Sequence, residues 1–246
     1  MKRISTILTL LFIFGGSYAQ FSTPTVDGTI FTDEYGIHAD GGNQQFSGGL
    51  TWYLTWDDTD LFVGISGYSN TDDAVVLYLD LDPISPVNGG DNTNGNLSGT
   101  SYDQVTPDLP FRGDFFAFVK PGYDAMEFAD GSGSWGNKVE NTITESHNGT
   151  NTTIEFKIPW FIITGSSRPD SFNWLGFLSY FGGGGGLFSQ VPTENPVGNT
   201  PDMVRYYTIS ETGDGISTLP FLQNSYTHIG ADANDFGGIS VFDFTM

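Results

Sequence analysis

The chain contains no cysteine, so it has neither a disulfide framework nor the thiol that a lipid anchor behind a leader requires. Basic residues are scarce as well. Eight Lys and Arg stand against 29 Asp and Glu, for a formal net charge of −21. That balance repels phosphate backbones and anionic lipid headgroups, and it excludes nucleic acid as a partner. It also sets strongly anionic polysaccharides against the chain unless cations bridge the charges. Beyond Phe14 no apolar run approaches the roughly 20 residues that a membrane-spanning helix needs, so no membrane insertion is expected. Histidine occurs three times, at His38, His147 and His228. No H-E-x-x-H or G-x-S-x-G signature is present, which removes the sequence case for a zinc protease or a serine hydrolase.

What is present begins with an export signal. Lys2 and Arg3 precede the apolar run Ile7–Phe14, and the small residues Gly16, Ser17 and Ala19 prepare a cleavage site. Residues 1–19 are therefore expected to be a signal peptide, with 20–246 as the folded domain. The protein is expected to be secreted to the cell surface or the medium, or to the periplasm. Loss of Lys2 and Arg3 leaves six basic residues facing the 29 acidic ones. With 15% aromatic residues the mature chain has the means to build a core, so its acidity does not imply disorder. A domain of this size manages without disulfides.

The strongest periodicity is two. Leu50, Trp52, Leu54 and Trp56 alternate with Thr51, Tyr53 and Thr55. After the turn Asp57–Asp60, Leu61, Val63 and Ile65 alternate with Phe62, Gly64 and Ser66, which together predict a hairpin. Further strands are predicted at Ala74–Leu81, Asp114–Lys120, Tyr123–Phe128, Lys138–Glu145, Thr152–Ile158, Phe172–Phe181, Val204–Ile209 and Ile239–Phe244. Pro121-Gly122 supplies a tight turn, and a single helical turn is predicted after Pro159, at Trp160–Thr164. His38–Gly49, Pro83–Leu109, Gly182–Gly186 and Glu211–Gly237 read as irregular. Many short strands with little helix predict an all-β fold, an antiparallel two-sheet β-sandwich of jelly-roll-like form.

Three segments occur in order: Val26-Asp27-Gly28-Thr29-Ile30 with Asp33-Glu34-Tyr35; Trp52–Trp56 running through Asp57-Asp58-Thr59-Asp60 to Ile65; and Val76-Leu77-Tyr78-Leu79-Asp80-Leu81-Asp82-Pro83. Together with Leu109–Arg112 and Phe172–Trp174 they make the chain resemble the family 9 carbohydrate-binding-module superfamily, which includes the DOMON-like sandwiches, and within it a bacterial surface branch. The resemblance implies two antiparallel sheets packed face to face. It further implies that the Asp57-Asp58 turn closes on its own backbone and that the Asp80–Asp82 strand end is a landmark of the fold. The paired stacking tryptophans of that family cannot be placed on this sequence, so sugar binding has to rest on other residues.

Two chemistries have candidate residues. Asp80 and Asp82 stand two apart at a strand end, with carboxylates on one side, and the loop behind them returns Asn88, Asp91, Asn92 and Asn94 among glycines. Such a set of oxygens suits calcium, although the spacing is not that of an EF-hand. The same residues also suit an Asn/Asp/Gly turn cluster that caps backbone groups. Asp27, Asp33, Glu34, Asp57, Asp58 and Asp60 form a second acidic group, with the same two readings. For sugar binding, aromatic platforms are sought outside the inward phase of the strands: Tyr102, Tyr123, Trp135, Tyr180 and Phe181. Trp135, in a polar glycine-rich loop, reads equally as a ligand platform and as a lid over one end of the sandwich. Trp52, Trp56, Trp160 and Trp174 read as core.

These readings lead to a non-catalytic carbohydrate-binding module, steadied by calcium, with polysaccharide or another glycan as its partner. Two alternatives stand beside it: a structural or adhesive surface domain without a small ligand, and a polysaccharide-cleaving enzyme on a sandwich fold.

Overall fold

Trp52, Leu54 and Trp56 project from one side of a single strand, and burying them requires a second sheet opposite. A computed structural model of the chain describes residues 23–36, 44–68, 72–82, 94–148, 152–180, 186–194, 198–210 and 225–227. In chain order the elements are β1 (Gln44–Ser47), β2 (Leu50–Trp56), β3 (Asp60–Ser66), β4 (Ala74–Asp80), β5 (Asn96–Ser98), β6 (Asp108–Gly113), β7 (Phe115–Lys120) and β8 (Tyr123–Phe128). They continue with β9 (Val139–Glu140), β10 (Thr144–His147), β11 (Thr153–Pro159), α1 (Trp160–Thr164), β12 (Ser171–Tyr180), β13 (Gly186–Val191), β14 (Arg205–Ser210) and β15 (Ser225–Thr227). One sheet has five strands in the order β1-β2-β3-β11-β10. A second has eight, in the order β15-β14-β12-β4-β7-β8-β9, with β13 also paired to β12, and β5 and β6 form a separate two-stranded sheet. The ladders are antiparallel. The all-β sandwich is as the sequence predicts.

The main core lies between the five- and eight-stranded sheets. Trp52, Leu54, Trp56, Val63, Ile65 and Phe156 from the smaller sheet meet Val75, Leu77, Leu79, Phe115, Met126 and Trp174 from the larger one. All four tryptophans assigned to the core are buried. The larger sheet has a second buried face. Val76, Tyr78, Phe116, Phe118, Leu175 and Phe177 point away from the main core and are covered by Val105, Leu109, Phe111 and Met203. Sheets buried on both faces read as continuous apolar runs rather than alternations, and Ala74–Leu79 and Phe115–Val119 are such runs.

Several predicted boundaries shift. Lys138–Glu145 is not one strand: Asn141 adopts a positive φ of 56°, and Asp124 Oδ1 accepts the N–H groups of both Thr142 and Ile143 at 2.9 Å. The chain thereby leaves the larger sheet at β9 and enters the smaller one at β10. Short strands β1 and β5 form where irregular structure was expected, while most of β13 and of β6 falls on residues given no assignment. Helix α1 forms at Trp160–Thr164 as predicted, with Pro159 at its N-cap position, and Gly165, at φ 71°, ends it. The Pro121-Gly122 turn joins β7 and β8 as predicted, with Lys120 opposite Tyr123. The predicted strand Ile239–Phe244 and the export signal lie outside the described residues.

The Asp27–Tyr35 segment is a strap across the outer face of the smaller sheet. Gly28 N–H and Tyr35 O–H donate to the two oxygens of buried Glu155, at 2.8 and 2.9 Å. Asp57 accepts the N–H groups of Thr59 and Asp60 at 2.7 and 2.8 Å, so the acidic turn does close on its own backbone.

Candidate metal centre and adjoining cleft

Strands β4 and β7 pair from Val75–Val119 to Leu79–Phe115 and then part. Where they part, backbone groups lose their ladder partners, and three aspartates fill the gap. Asp114 N–H still donates to Leu79 O at 2.8 Å, while the Asp114 carboxylate accepts Leu81 N–H at 2.7 Å. Asp80 Oδ1 accepts Asp82 N–H at 3.2 Å, and Asp80 Oδ2 accepts the side-chain amide of Asn173, from β12, at 2.8 Å. Asp80 and Asp114 follow the parity of Tyr78 and Phe116, so the cluster stands at the end of the second buried face.

One carboxylate oxygen from each of Asp80, Asp82 and Asp114 lies within 4.8 Å of the others. Among the described residues this is the one such group of three potential ligands. Calcium–oxygen bonds of about 2.3–2.6 Å place two ligands of one ion at most roughly 5 Å apart, so the spacing fits a single cation. Exposure grades across the cluster from buried Asp80 through half-buried Asp114 to exposed Asp82. An ion there has protein on one side and an open side toward solvent.

Electrostatics point the same way. Burial, reinforced by the charge of Asp114, pushes the Asp80 carboxyl well above its usual range, against the hydrogen bonds from Asp82 N–H and Asn173. Burial also raises Asp114, to about 6, aided by Asp82 and opposed by the Leu81 N–H. Carboxylates crowded in this way take up either protons or a cation. Asn94 donates its amide to Asp82 Oδ2 at 2.9 Å, which brings a further oxygen-bearing side chain to the rim.

Asp82, Asn94 and Asp114 also line a cleft of about 710 Å³, within the size range of small-ligand sites. Phe128, Asp130 and Gly131 line it from the end of β8, and Ile163, Thr164, Ser167, Arg168 and Asp170 from α1 and the turn behind it. The lining thus mixes carboxylates, hydroxyls, a guanidinium and apolar side chains. Arg168 also approaches Asp58 at 3.6 Å, joining this turn to the Asp57–Asp60 turn.

Of the residues picked out for calcium, the structure brings together Asp80, Asp82 and Asn94, whereas Asn88, Asp91 and Asn92 lie outside the described residues. Asp114 was missed, because its place beside Asp80 depends on the β4–β7 pairing. In the second acidic group Asp27, Glu34 and Asp57 serve the backbone. Asp27 caps Thr29 N–H, and Glu34 accepts from Thr25 and Phe31. Asp60 is engaged by Lys157 at 3.1 Å.

Tyr102, Tyr123 and Tyr180 fall elsewhere, whereas Trp135 pairs with Ala129 of the cleft wall. Tyr102 stacks on Phe118 with ring centroids 3.8 Å apart, and Tyr123 lies 5.3 Å from the same ring. Both belong to the covering of the second core, near the end of β7 away from Asp114. Trp135 packs edge-on against Tyr78 and Phe116 and donates its indole N–H to Ser98 O at 2.9 Å, the arrangement of a lid. Tyr180 sits at the far end of β12, beside Phe188, seven residues from Asn173 and so roughly 23 Å along the strand. Phe181 lies outside the described residues.

No family model, curated protein or solved structure matches the chain. Among the described residues no helix is long and apolar enough to cross a membrane.

Proposed function

We propose that this chain is an exported, non-catalytic carbohydrate-binding module. In this reading a calcium ion held by Asp80, Asp82 and Asp114 completes its coordination shell with water or sugar hydroxyls from the adjoining cleft. The observation that carries the proposal is the set of three converging carboxylates, graded from buried to exposed, at the edge of a cleft lined by hydroxyl, carboxylate, amide and apolar groups. Calcium is the ion of choice because the donors are all hard oxygens, with no His or Cys among them. The resemblance to family 9 carbohydrate-binding modules supports the class of partner, and the Lys2–Ala19 leader supports export.

The test is isothermal titration of the mature protein with calcium, followed by thermal melts with calcium and a panel of soluble polysaccharides. A ligand of the folded state raises the midpoint by mass action. A rise with calcium and a further rise with one polysaccharide is the expected result. One observation favours a second reading, a structural surface domain whose calcium only staples strand ends: the innermost ligand, Asp80, is tied by Asn173 into the frame of the sheet. That reading gains if calcium raises the midpoint and no polysaccharide adds to it.

A further inference from the structure

Helix α1 buries Trp160 and Ile163 and leaves Phe161 and Ile162 outside. Phe161 is 71% exposed, the most exposed large apolar side chain among the described residues. Its position decides its significance. Residues three apart on a helix are neighbours on one face, with Cβ atoms about 5–6 Å apart, and the residue three beyond Phe161 is Thr164, which lines the cleft. The ring therefore neighbours Thr164 at the edge of the cleft, where the threonine hydroxyl is bonded to the backbone of Trp160, Ser166 and Ser167.

We propose that Phe161 is the aromatic platform of a binding site for a neutral, pyranose-based polysaccharide, with the sugar's C–H face on the ring and its hydroxyls directed into the cleft. The proposal rests on the glycan reading above and adds a contact residue and a ligand class to it. An occupant of this site needs apolar faces and an edge rich in hydroxyls, because the Phe161 ring borders a lining that mixes Phe128 and Ile163 with Asp, Asn and Ser. A protein partner fits poorly. Stable protein interfaces bury about 1,200–2,000 Å², and the exposed apolar surface here is one ring with a partly exposed isoleucine.

Charge selects the class of sugar. After a divalent cation has engaged Asp80, Asp82 and Asp114, the cleft still presents Asp130 and Asp170, with Arg168 as its basic residue. A uronate would enter a site that stays net negative, whereas a neutral hydroxyl pair meets both acceptors and donors.

Affinity electrophoresis of the mature protein, in calcium, through gels cast with xylan, a mixed-linkage β-glucan or polygalacturonate tests this. Retardation by a neutral polysaccharide is expected, with F161A weakening it about tenfold and F161W retaining it. F46A, which removes an exposed ring on β1, should migrate as the parent does. The calcium-induced rise in melting midpoint should be the same in F161A as in the parent, showing that the variant is folded and holds its ion. Parental retardation of F161A overturns the platform while leaving the glycan reading in place. Retardation by polygalacturonate alone overturns the neutral class. If no polysaccharide retards the parent, the glycan reading fails and the platform fails with it.

Discussion

Asn173 donates its side-chain amide to the inner carboxylate oxygen of Asp80 across the β12–β4 ladder, 2.8 Å away and 93 residues distant in sequence. The bond fixes Asp80 at the buried end of the acidic cluster, where burial and Asp114 both oppose its ionisation. An Asp80→Asn variant keeps the shape and removes the charge. Without calcium it should melt higher than the parent, by roughly 2–4 °C for each kcal/mol of relieved repulsion and desolvation. With calcium the order should reverse, because the variant has lost its innermost ligand. Melts of both proteins in calcium and in chelator check this, and a parent that gains nothing from calcium defeats it.

A second relationship holds the strap in place. A Cβ on Gly64 would lie 2.8 Å from the Cζ and hydroxyl oxygen of Tyr35, and that hydroxyl is committed to Glu155. Gly64→Ala must displace the ring and should cost about 1–3 kcal/mol, the usual range for overpacking. Tyr35→Phe keeps the ring and leaves Glu155 short of one donor, at about 1–2 kcal/mol. Urea denaturation of the two variants measures both. Equal stability of Gly64→Ala and the parent would show that the strap does not press on the sheet.

How far these features could be read beforehand follows from how local they are. The hairpin of β2 and β3 was legible, because strict alternation flanks a turn that Asp57 closes by itself. Asp80 and Asp82 were legible as a pair, since residues two apart on a strand share a side. Asp114 was not. Leu81 and Asp114 are 33 residues apart, and only the pairing of β4 with β7 brings them together. The packing of three aromatic candidates on the outer core was missed for a different reason. Tyr102, Tyr123 and Trp135 were judged against one buried face, yet the uninterrupted apolar runs Ala74–Leu79 and Phe115–Val119 already signalled a sheet covered on both sides. Phe161 was passed over because a five-residue helix gives no periodicity from which to tell its outer face.

The packing of Trp135 on Tyr78 and Phe116 points to a structural role, and its loss should act on stability. Trp135→Ala removes a half-buried ring from Tyr78 and Phe116 and frees the Ser98 carbonyl. A cost of about 2–3 kcal/mol is expected, below that of a fully buried tryptophan. Below its melting temperature the variant should bind calcium and polysaccharide as the parent does. Weakened polysaccharide binding with unchanged stability would instead make Trp135 a ligand platform.

The last prediction concerns pH, away from the acidic cluster. Burial raises the Glu194 carboxyl from 4.5 to about 7, outweighing the Val204 N–H and the nearby Arg205. Its Oε2 accepts the Val204 N–H at 3.1 Å, while Arg205 itself donates to Thr193 O. Because the folded state holds the proton more tightly than the unfolded chain, the stabilising effect of this group is complete below pH 4.5 and is lost as pH rises through 7. Glu194→Gln keeps an acceptor for Val204 and cannot ionise. Between pH 5 and pH 8 the parent should therefore lose more stability than the variant, measured in urea at both values. The other raised carboxyls are common to the two proteins and drop out of the difference. Equal losses would mean that Glu194 titrates in the fold as it does in the unfolded chain.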